Sequence, residues 1–561
     1  MPIVRIPLTQ VIQSRTASTS KDSRGVNCYF ESRGETSKDN IKRPGLLNTV
    51  VTPAMAAGQA QGLYKRDNGS LWVVINNTVT VVDSALATSS GGTLSGTVQN
   101  VYFAESGNDA YLFMHNGSSG YTSTGSAAFV VIAPGKIYEA LVTTGGSGYV
   151  TPTCTFSAAP GSGVTATGNV IISGGVVIAI DITDYGSGYT TAPTCTVNPV
   201  GGGSGATVSV TLNGFPSGAG LLATGAVYLD GYTVVATKAG QIFNSDPEDP
   251  TLWNPLNTVA VESDPDPIVG IVKHFNYIVV FGEWSTEFFY NAANATGSPF
   301  LRQDSYKNEI GCANGGSIVQ YQQGVMYVGE SKTNGKSVYV LDGFSPKPVS
   351  TPYIETYLNA DINSNIQSFA FRIAGHTFYV MTLIDLDLTF VYDIDVNIWY
   401  QWTTYSSGAE HAFRVWSATE FLGNTYGIDT SSGLLYKIDT GTYSDNGDNI
   451  YWRIVTNNLD AGTRHRKFWE SGEIIGDKVA ATMYISFSNN DYASFSATRT
   501  VNLNSTRSII RQLGQDRYRS YQFLVTDDVP LRLSAFEMSV QGGEMAADPE
   551  LQAISQQSQQ R

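Results

Sequence analysis

The residues of this chain with chemistry to offer are five histidines, four cysteines and two acidic runs. The histidines are His115, His274, His376, His411 and His465, and none has a second His or Cys at metal-ligand spacing. Each therefore reads as a structural histidine satisfied by its neighbours. Cys28, Cys154, Cys195 and Cys312 include no CxxC pair, so neither a zinc site nor a disulfide framework is signalled, and reduced, mostly buried thiols are expected. The runs Asp246-Pro247-Glu248-Asp249-Pro250 and Glu262-Ser263-Asp264-Pro265-Asp266 crowd carboxylates that could ligate Ca²⁺ or serve as paired acids in glycoside hydrolysis. Their prolines make each a rigid turn first. The chain lacks a GxSxG elbow, HExxH, GxxxxGK[ST] and a strand-linked GxGxxG opening a helix. No catalytic, cofactor-binding or metal-binding residue is assigned, and a non-enzymatic protein without cofactors is expected.

Basic residues gather late in the sequence, at Arg464, Arg466 and Lys467, then Arg507, Arg511, Arg517 and Arg519. Such a cluster could touch DNA phosphates. The net charge of −15 and pI near 4.8 argue instead for contacts with acidic neighbouring subunits, because a protein that grips DNA broadly needs a basic face. An acidic surface is also one past which DNA slides without sticking. Trp253, Trp284 and Trp399 could stack on sugar rings, and packing between strands is the reading favoured for them.

The elements that must position these groups are strands. Tyr (31), Phe (24) and Gly (57) are abundant and Val and Thr recur, while only 14% of residues are charged. Aromatic and β-branched residues suit a pleated surface and Gly suits its turns. No apolar stripe holds a helical period for several turns, so the fold class is all-β. The N-terminus MPIVRIPLTQ lacks the apolar core of a signal peptide, and no 18-residue apolar run is present.

Residues 1–50 read as an extended polar arm that wraps a neighbouring subunit, or as an edge segment of its own domain. The runs Leu71–Ile75 and Thr78–Val82 flank Asn76-Asn77, a hairpin signal. Short strands of this kind, spaced by turns, fill 51–114 and 216–455 as one discontinuous sandwich, barrel or propeller, and Val391-Tyr392-Asp393 with Trp399 is a rhythm common in propeller blades. Between them, 115–215 carries a repeat. Gly146-Ser147-Gly148-Tyr149 is answered by Gly186-Ser187-Gly188-Tyr189, Cys154 by Cys195, and Gly161-Ser162-Gly163 by Gly203-Ser204-Gly205. One β unit is duplicated there, giving an inserted two-lobed knob. The equivalent cysteines are expected to fill equivalent small pockets and not to pair. Residues 456–543 form a C-terminal β platform, and 544–561 a Gln/Ser-rich disordered tail.

The stretch Gly240–Asp246, Asp249–Asn254, Asp264–Ile271 and Val279–Tyr290 resembles the tail hub of short-tailed bacteriophages, the packaged-DNA-stabilisation or tail accessory factor family. Asn27-Cys28-Tyr29, Arg43-Pro44-Gly45, Ile310-Gly311-Cys312, Val349-Ser350-Thr351 with Ile354-Glu355, Gly375–Tyr379, Val391-Tyr392-Asp393, Arg511–Gly514 and Arg517-Tyr518-Arg519 follow in matching order. The resemblance spans nearly the whole chain except roughly 115–215. It implies a tail nozzle, each subunit a β-propeller, hung as a homohexameric ring below the portal and its adaptor. Such a ring retains packaged double-stranded DNA, conducts it during ejection, and receives tail fibres, spikes or a needle. It implies assembly in the host cytoplasm and residence in the virion tail. The alternative is a tail-borne carbohydrate-binding or depolymerase propeller that recognises a host receptor.

Overall fold

The computed structural model describes residues 3–8, 12, 23–33, 37–107, 110–125, 128–261, 266–322, 324–463 and 465–542. The chain is all-β and carries a β-propeller. Among the described residues the helical elements are the helix Pro352–Ala360 and two single 3₁₀ turns, Gly315–Ser317 and Ile384–Leu386. Among the described residues no helix is long and apolar enough to cross a membrane. Two compact units divide the chain: Met1–Thr49 with Pro348–Asp429 and Leu434–Arg561, and Val50–Lys347 with Thr430–Gly433.

Outside its Gly-rich element the second unit is a succession of antiparallel sheets, four of them meanders whose strands lie in sequence order. Strands Ala60–Lys65, Leu71–Ile75, Thr78–Val82 and Thr88–Thr93 make one sheet; Tyr102–Glu105, Leu112–His115, Gly120–Ser123 and Val130–Val131 the next. Val227–Leu229 to Thr258–Ala260 and Ile268–His274 to Phe300–Asn308 make two more, and a five-stranded sheet is built on Gly324–Glu330.

Inner strands such as Leu71–Ile75 and Tyr277–Gly282 are buried almost throughout, and their period of two explains why. Ile278 and Val280 enter a cluster with Val234 and Ala236 of the preceding sheet, while Val279 and Phe281 enter one with Val325 and Tyr327 of the following sheet. Val235 in turn packs with Phe113 and Trp253, and Leu112 and Met114 with Trp72 and Val74. The three sheets between the first and the last are thus apolar on both faces and pack face to face with the sheets before and after them, which is how propeller blades pack. One two-residue hairpin turns at Asn76 (φ 45°) and Asn77 (φ 63°), the double left-handed turn that asparagine tolerates.

The Gly-rich element occupies Ile137–Leu212. Residues 115–135, assigned from sequence to the insertion, instead carry strands Gly120–Ser123 and Val130–Val131 of a blade sheet. Each repeat supplies three strands: Ile137–Ser147, Thr153–Phe156 and Thr167–Ser173, then Val176–Asp184, Cys195–Asn198 and Ser204–Leu212. The repeats do not form separate lobes. The first strand of each pairs with the last strand of the other, and the two middle strands pair with each other. The two repeats are therefore intertwined about an approximate two-fold axis. Equivalent contacts recur across it. Tyr149 Oη accepts from Ala206 N–H at 3.1 Å and Tyr189 Oη from Ala166 N–H at 2.9 Å. Tyr149 N–H donates to Gly175 O and Tyr189 N–H to Gly135 O.

The first unit gathers strands from both ends of the chain. Arg24–Val26 lies between Ile398–Ser406 and Trp452–Val455 in a ten-stranded sheet. Ile3–Pro7 and Ser37–Lys42 pair with Arg532–Gly542, and Gly45–Thr49 with Leu435–Asp439. The expected arm wrapping a neighbour is, in the described residues, a set of strands inside this unit, with Cys28, Phe30 and Leu46 fully buried. The expected C-terminal platform shares the same sheets and one apolar cluster with 369–454, because Trp452, Phe523 and Phe536 pack together. The tail 544–561 lies outside the described residues.

Candidate functional site

The basic residues picked out near the C-terminus separate into two kinds. Strand Lys467–Gly476 carries Ser508–Arg511 and Gln515–Asp516 on one edge, with Lys467 opposite Asp516 and Ser471 opposite Arg511. Lys467 is buried. Its Nζ donates to the carbonyls of Thr463 (2.5 Å), His465 (2.9 Å) and Arg517 (2.5 Å), and burial lowers its pKa. Arg519 is also buried, with Nε donating to Asn489 Oδ1 at 2.7 Å and Nη1 to Leu513 O at 2.6 Å. Its guanidinium lies 3.9 Å from the Phe487 ring centroid and 5.4 Å from that of Trp469. Neither cation can reach a phosphate or a neighbouring chain; both are internal clasps.

Arg507 is exposed and forks onto Glu473, with Nε–Oε1 at 3.1 Å and Nη2–Oε2 at 2.5 Å, and these bonds hold the Glu473 carboxyl below its usual range. Arg466, Arg511 and Arg517 are exposed and make no ion pair among the described residues. The register brings Arg466 and Arg517 to the same end of their strand pair. Arg464 lies outside the described residues. Sequence reading missed Arg499, whose Nη1 and Nη2 donate to Gln512 O (3.1 Å) and Arg511 O (2.7 Å). It was missed because it stands alone in sequence on strand Arg499–Asn502. With Phe468 46% exposed opposite Gln515, the edge presents cations and an aromatic ring, which suits phosphate or carboxylate partners.

The first acidic run is a turn. Asp246 Oδ1 accepts from Tyr138 Oη (2.9 Å), Glu248 Oε1 from Tyr228 Oη (2.7 Å), and Asp249 Oδ1 from Thr251 N–H and Oγ1. Of 262–266 only Asp266 is described, and its Oδ2 accepts from Trp284 N–H at 2.7 Å. Among the described residues no group of three or more His, Cys, Asp or Glu is placed to hold a metal ion. His115 and His274 each bond a carbonyl, of Gly225 and Gly343, and His376 and His411 bond Asp393 and Asp387, all at 2.7–2.8 Å.

Trp253 and Trp399 are buried and donate to Pro250 O and Val349 O at 2.8 Å, so they pack and offer no sugar platform; Trp284 is half-buried. A cleft of 350 Å³ in the first unit lies between the turns at 372–375 and 420–425 and the segment 437–440. Arg372, Glu420, Lys437 and Asp439 mix charge signs in its wall, and no aromatic residue lines it.

Face-to-face meanders define a propeller-class protein. Residues 222–443, under half of the chain, match the model of a family described as "Bacteriophage P22 Gp10, beta-propeller". That match supports a phage tail structural protein, a component of the virion. No curated protein matches in sequence. Solved structures with a similar course include an inactive virginiamycin B lyase from Staphylococcus aureus with quinupristin, at 9% identity and TM-score 0.37, covering 70% of this chain and 98% of that one. BamB from Moraxella catarrhalis is 8% identical with TM-score 0.33, covering 78% and 97%. At these scores the likenesses carry no argument about activity.

Proposed function

We propose that this chain is the tail nozzle or hub subunit of a short-tailed phage, a non-enzymatic wall around the DNA exit channel. The match of 222–443 to a phage propeller family is the observation that carries this reading. Blades with apolar residues on both faces make a stiff body, suited to bearing the pressure of packed DNA without local opening. The acidic balance, −15 overall, suits a conduit along which phosphates slide. In this reading six copies form a ring under the portal adaptor, fibres, spikes or a needle attach to it, and Arg466, Arg511 and Arg517 meet acidic groups of neighbouring subunits or DNA phosphates.

Electron microscopy of virions carrying a tagged chain tests the placement. The tag is expected in a ring between portal and tail tip, and particles lacking the chain are expected to lose their DNA. A trimeric assembly at the tail tip, or cleavage of a host polysaccharide by the purified chain, would replace this reading with receptor recognition.

A further inference from the structure

The Gly-rich element brings two thiols together at its symmetry axis. Its middle strands pair with Thr155 opposite Thr196, Cys154 opposite Val197 and Phe156 opposite Cys195. The step in sequence that carries Cys154 onto Cys195 also carries Thr155 onto Thr196 and Phe156 onto Val197. The approximate axis therefore passes through the Thr155–Thr196 pair, and the cysteines are mates across it. Alternation along the strands turns Cys154, Phe156, Cys195 and Val197 to one side. Cys154 and Cys195 pack in the same cluster, with Ile137, Ala140, Phe156, Ala166 and Tyr189. On that side Cys154 Sγ donates to Gly168 O at 3.1 Å. Both are free thiols. This corrects the expectation of two separate pockets: the equivalent residues share one.

We infer that Cys154 and Cys195 are a dithiol–disulfide site, closed by a small-molecule disulfide and reopened by a small thiol. Cys154, the more exposed of the two, attacks as thiolate on the small disulfide, forming a mixed disulfide and releasing one small thiol. Cys195 then attacks Cys154 Sγ and displaces the second. Two protein thiols and one small disulfide become one protein disulfide and two small thiols, so no further oxidant is needed. The cysteines are diagonal neighbours, for which Cα atoms stand roughly 7–8 Å apart. That is beyond the usual disulfide span, so closure shifts the backbone and yields a strained, easily reduced bond. Burial pushes the Cys195 thiol up to about 12, which makes exchange slow at neutral pH. The bond would tie the two intertwined repeats at their crossing point.

The test is incubation of the folded full chain with oxidised glutathione at about pH 9, where more thiol is ionised, followed by alkylation and peptide mapping without reduction. The expected product is a Cys154–Cys195 linked peptide, reversed by dithiothreitol, with the fully buried Cys28 and Cys312 left as thiols. In C195S, Cys154 is expected to stop at the glutathione adduct. Accumulation of that adduct in the wild-type chain without the link, or no reaction at either cysteine over the same time, would overturn the inference. Neither outcome depends on whether the chain serves as a tail nozzle.

Discussion

Arg43 and Asp445 show what single residues do for the first unit. Both side chains are wholly buried, and the guanidinium forks onto the carboxylate with Nη1–Oδ1 at 2.8 Å and Nη2–Oδ2 at 2.5 Å. The remaining donors reach Asn27 Oδ1, Pro44 O and Thr403 O, and the cation stands 4.9 Å from the Phe413 ring centroid. Removing one partner strands a buried charge. Asp445→Ala or Arg43→Met alone is expected to cost about 3–5 kcal/mol, and the double change well under the sum. Urea midpoints of the single and double variants check this. His115 sets a pH dependence in the second unit. Its Nδ1 accepts from Gly117 N–H at 3.2 Å, so its Nε2 donates to Gly225 O at 2.8 Å, and only the neutral ring satisfies both. Burial lowers its pKa from 6.5 to about 4. The unfolded chain binds the proton first as pH falls, so this contribution is complete above about pH 6.5 and is lost as pH falls to about 4. The loss is expected to reach roughly 3 kcal/mol, and His115→Gln is expected to flatten stability over that window. His376 runs the other way. Its bond to Asp393 raises its pKa, so its contribution is complete below about pH 6.5 and is lost as pH rises through the folded value.

At the scale of elements, the Gly-rich repeat depends on a few backbone positions. Gly203 has φ +109°, and a Cβ there would stand 2.7 Å from the Tyr149 ring. Gly161 has φ +58°, and a Cβ there meets nothing within 4 Å. Gly203→Ala is therefore expected to open the element to limited proteolysis between residues 137 and 212, while Gly161→Ala leaves it resistant; the rates of cleavage in the two variants decide. Much of this element was legible because its signals are local. The paired GSGY turns announced the duplication, and Asn76-Asn77 marked a hairpin whose strands, Leu71–Ile75 and Thr78–Val82, have the bounds read from sequence. How the repeats pair was not legible, since period-two patterns serve a lobe made from one copy as well as an exchanged one. The N-terminal strands stood only as the alternative reading, an edge segment of its own domain, for a related reason. Asn27 and Arg43 look like polar arm residues until Thr403, Tyr451 and Asp445, some four hundred residues on, supply their partners. Lys467 and Arg519 misled likewise, because only packing from Asn489, Phe487 and Leu513 or from distant carbonyls shows that these cations are internal.

For the molecule as a whole, what matters is which parts of the chain the blades need. The matched family region begins at residue 222, after the Gly-rich element, and the two ends of that element meet at one point: Asn213 N–H donates to Lys136 O at 2.8 Å. Its own apolar clusters, around Phe156 and Tyr189 and around Tyr149 and Val177, contain no residue of a blade sheet. The blades keep separate clusters around Trp72, Trp253 and Phe281. Tyr138 Oη donates to Asp246 and ties the element's base to a blade turn. A chain in which residues 137–212 are replaced by a two-glycine linker should keep its blades and lose the Tyr138–Asp246 bond, about 1–2 kcal/mol, together with the bond from Tyr189 N–H to Gly135 O in the linking segment. Near-ultraviolet circular dichroism and the urea transition of the excised chain measure this. Retention of the cooperative transition is expected, and the excised chain is expected to enter the same assembly as the full one. Collapse of the transition would show instead that the duplicated element is part of the folding core, and that its separate apolar clusters misstate how the second unit holds together.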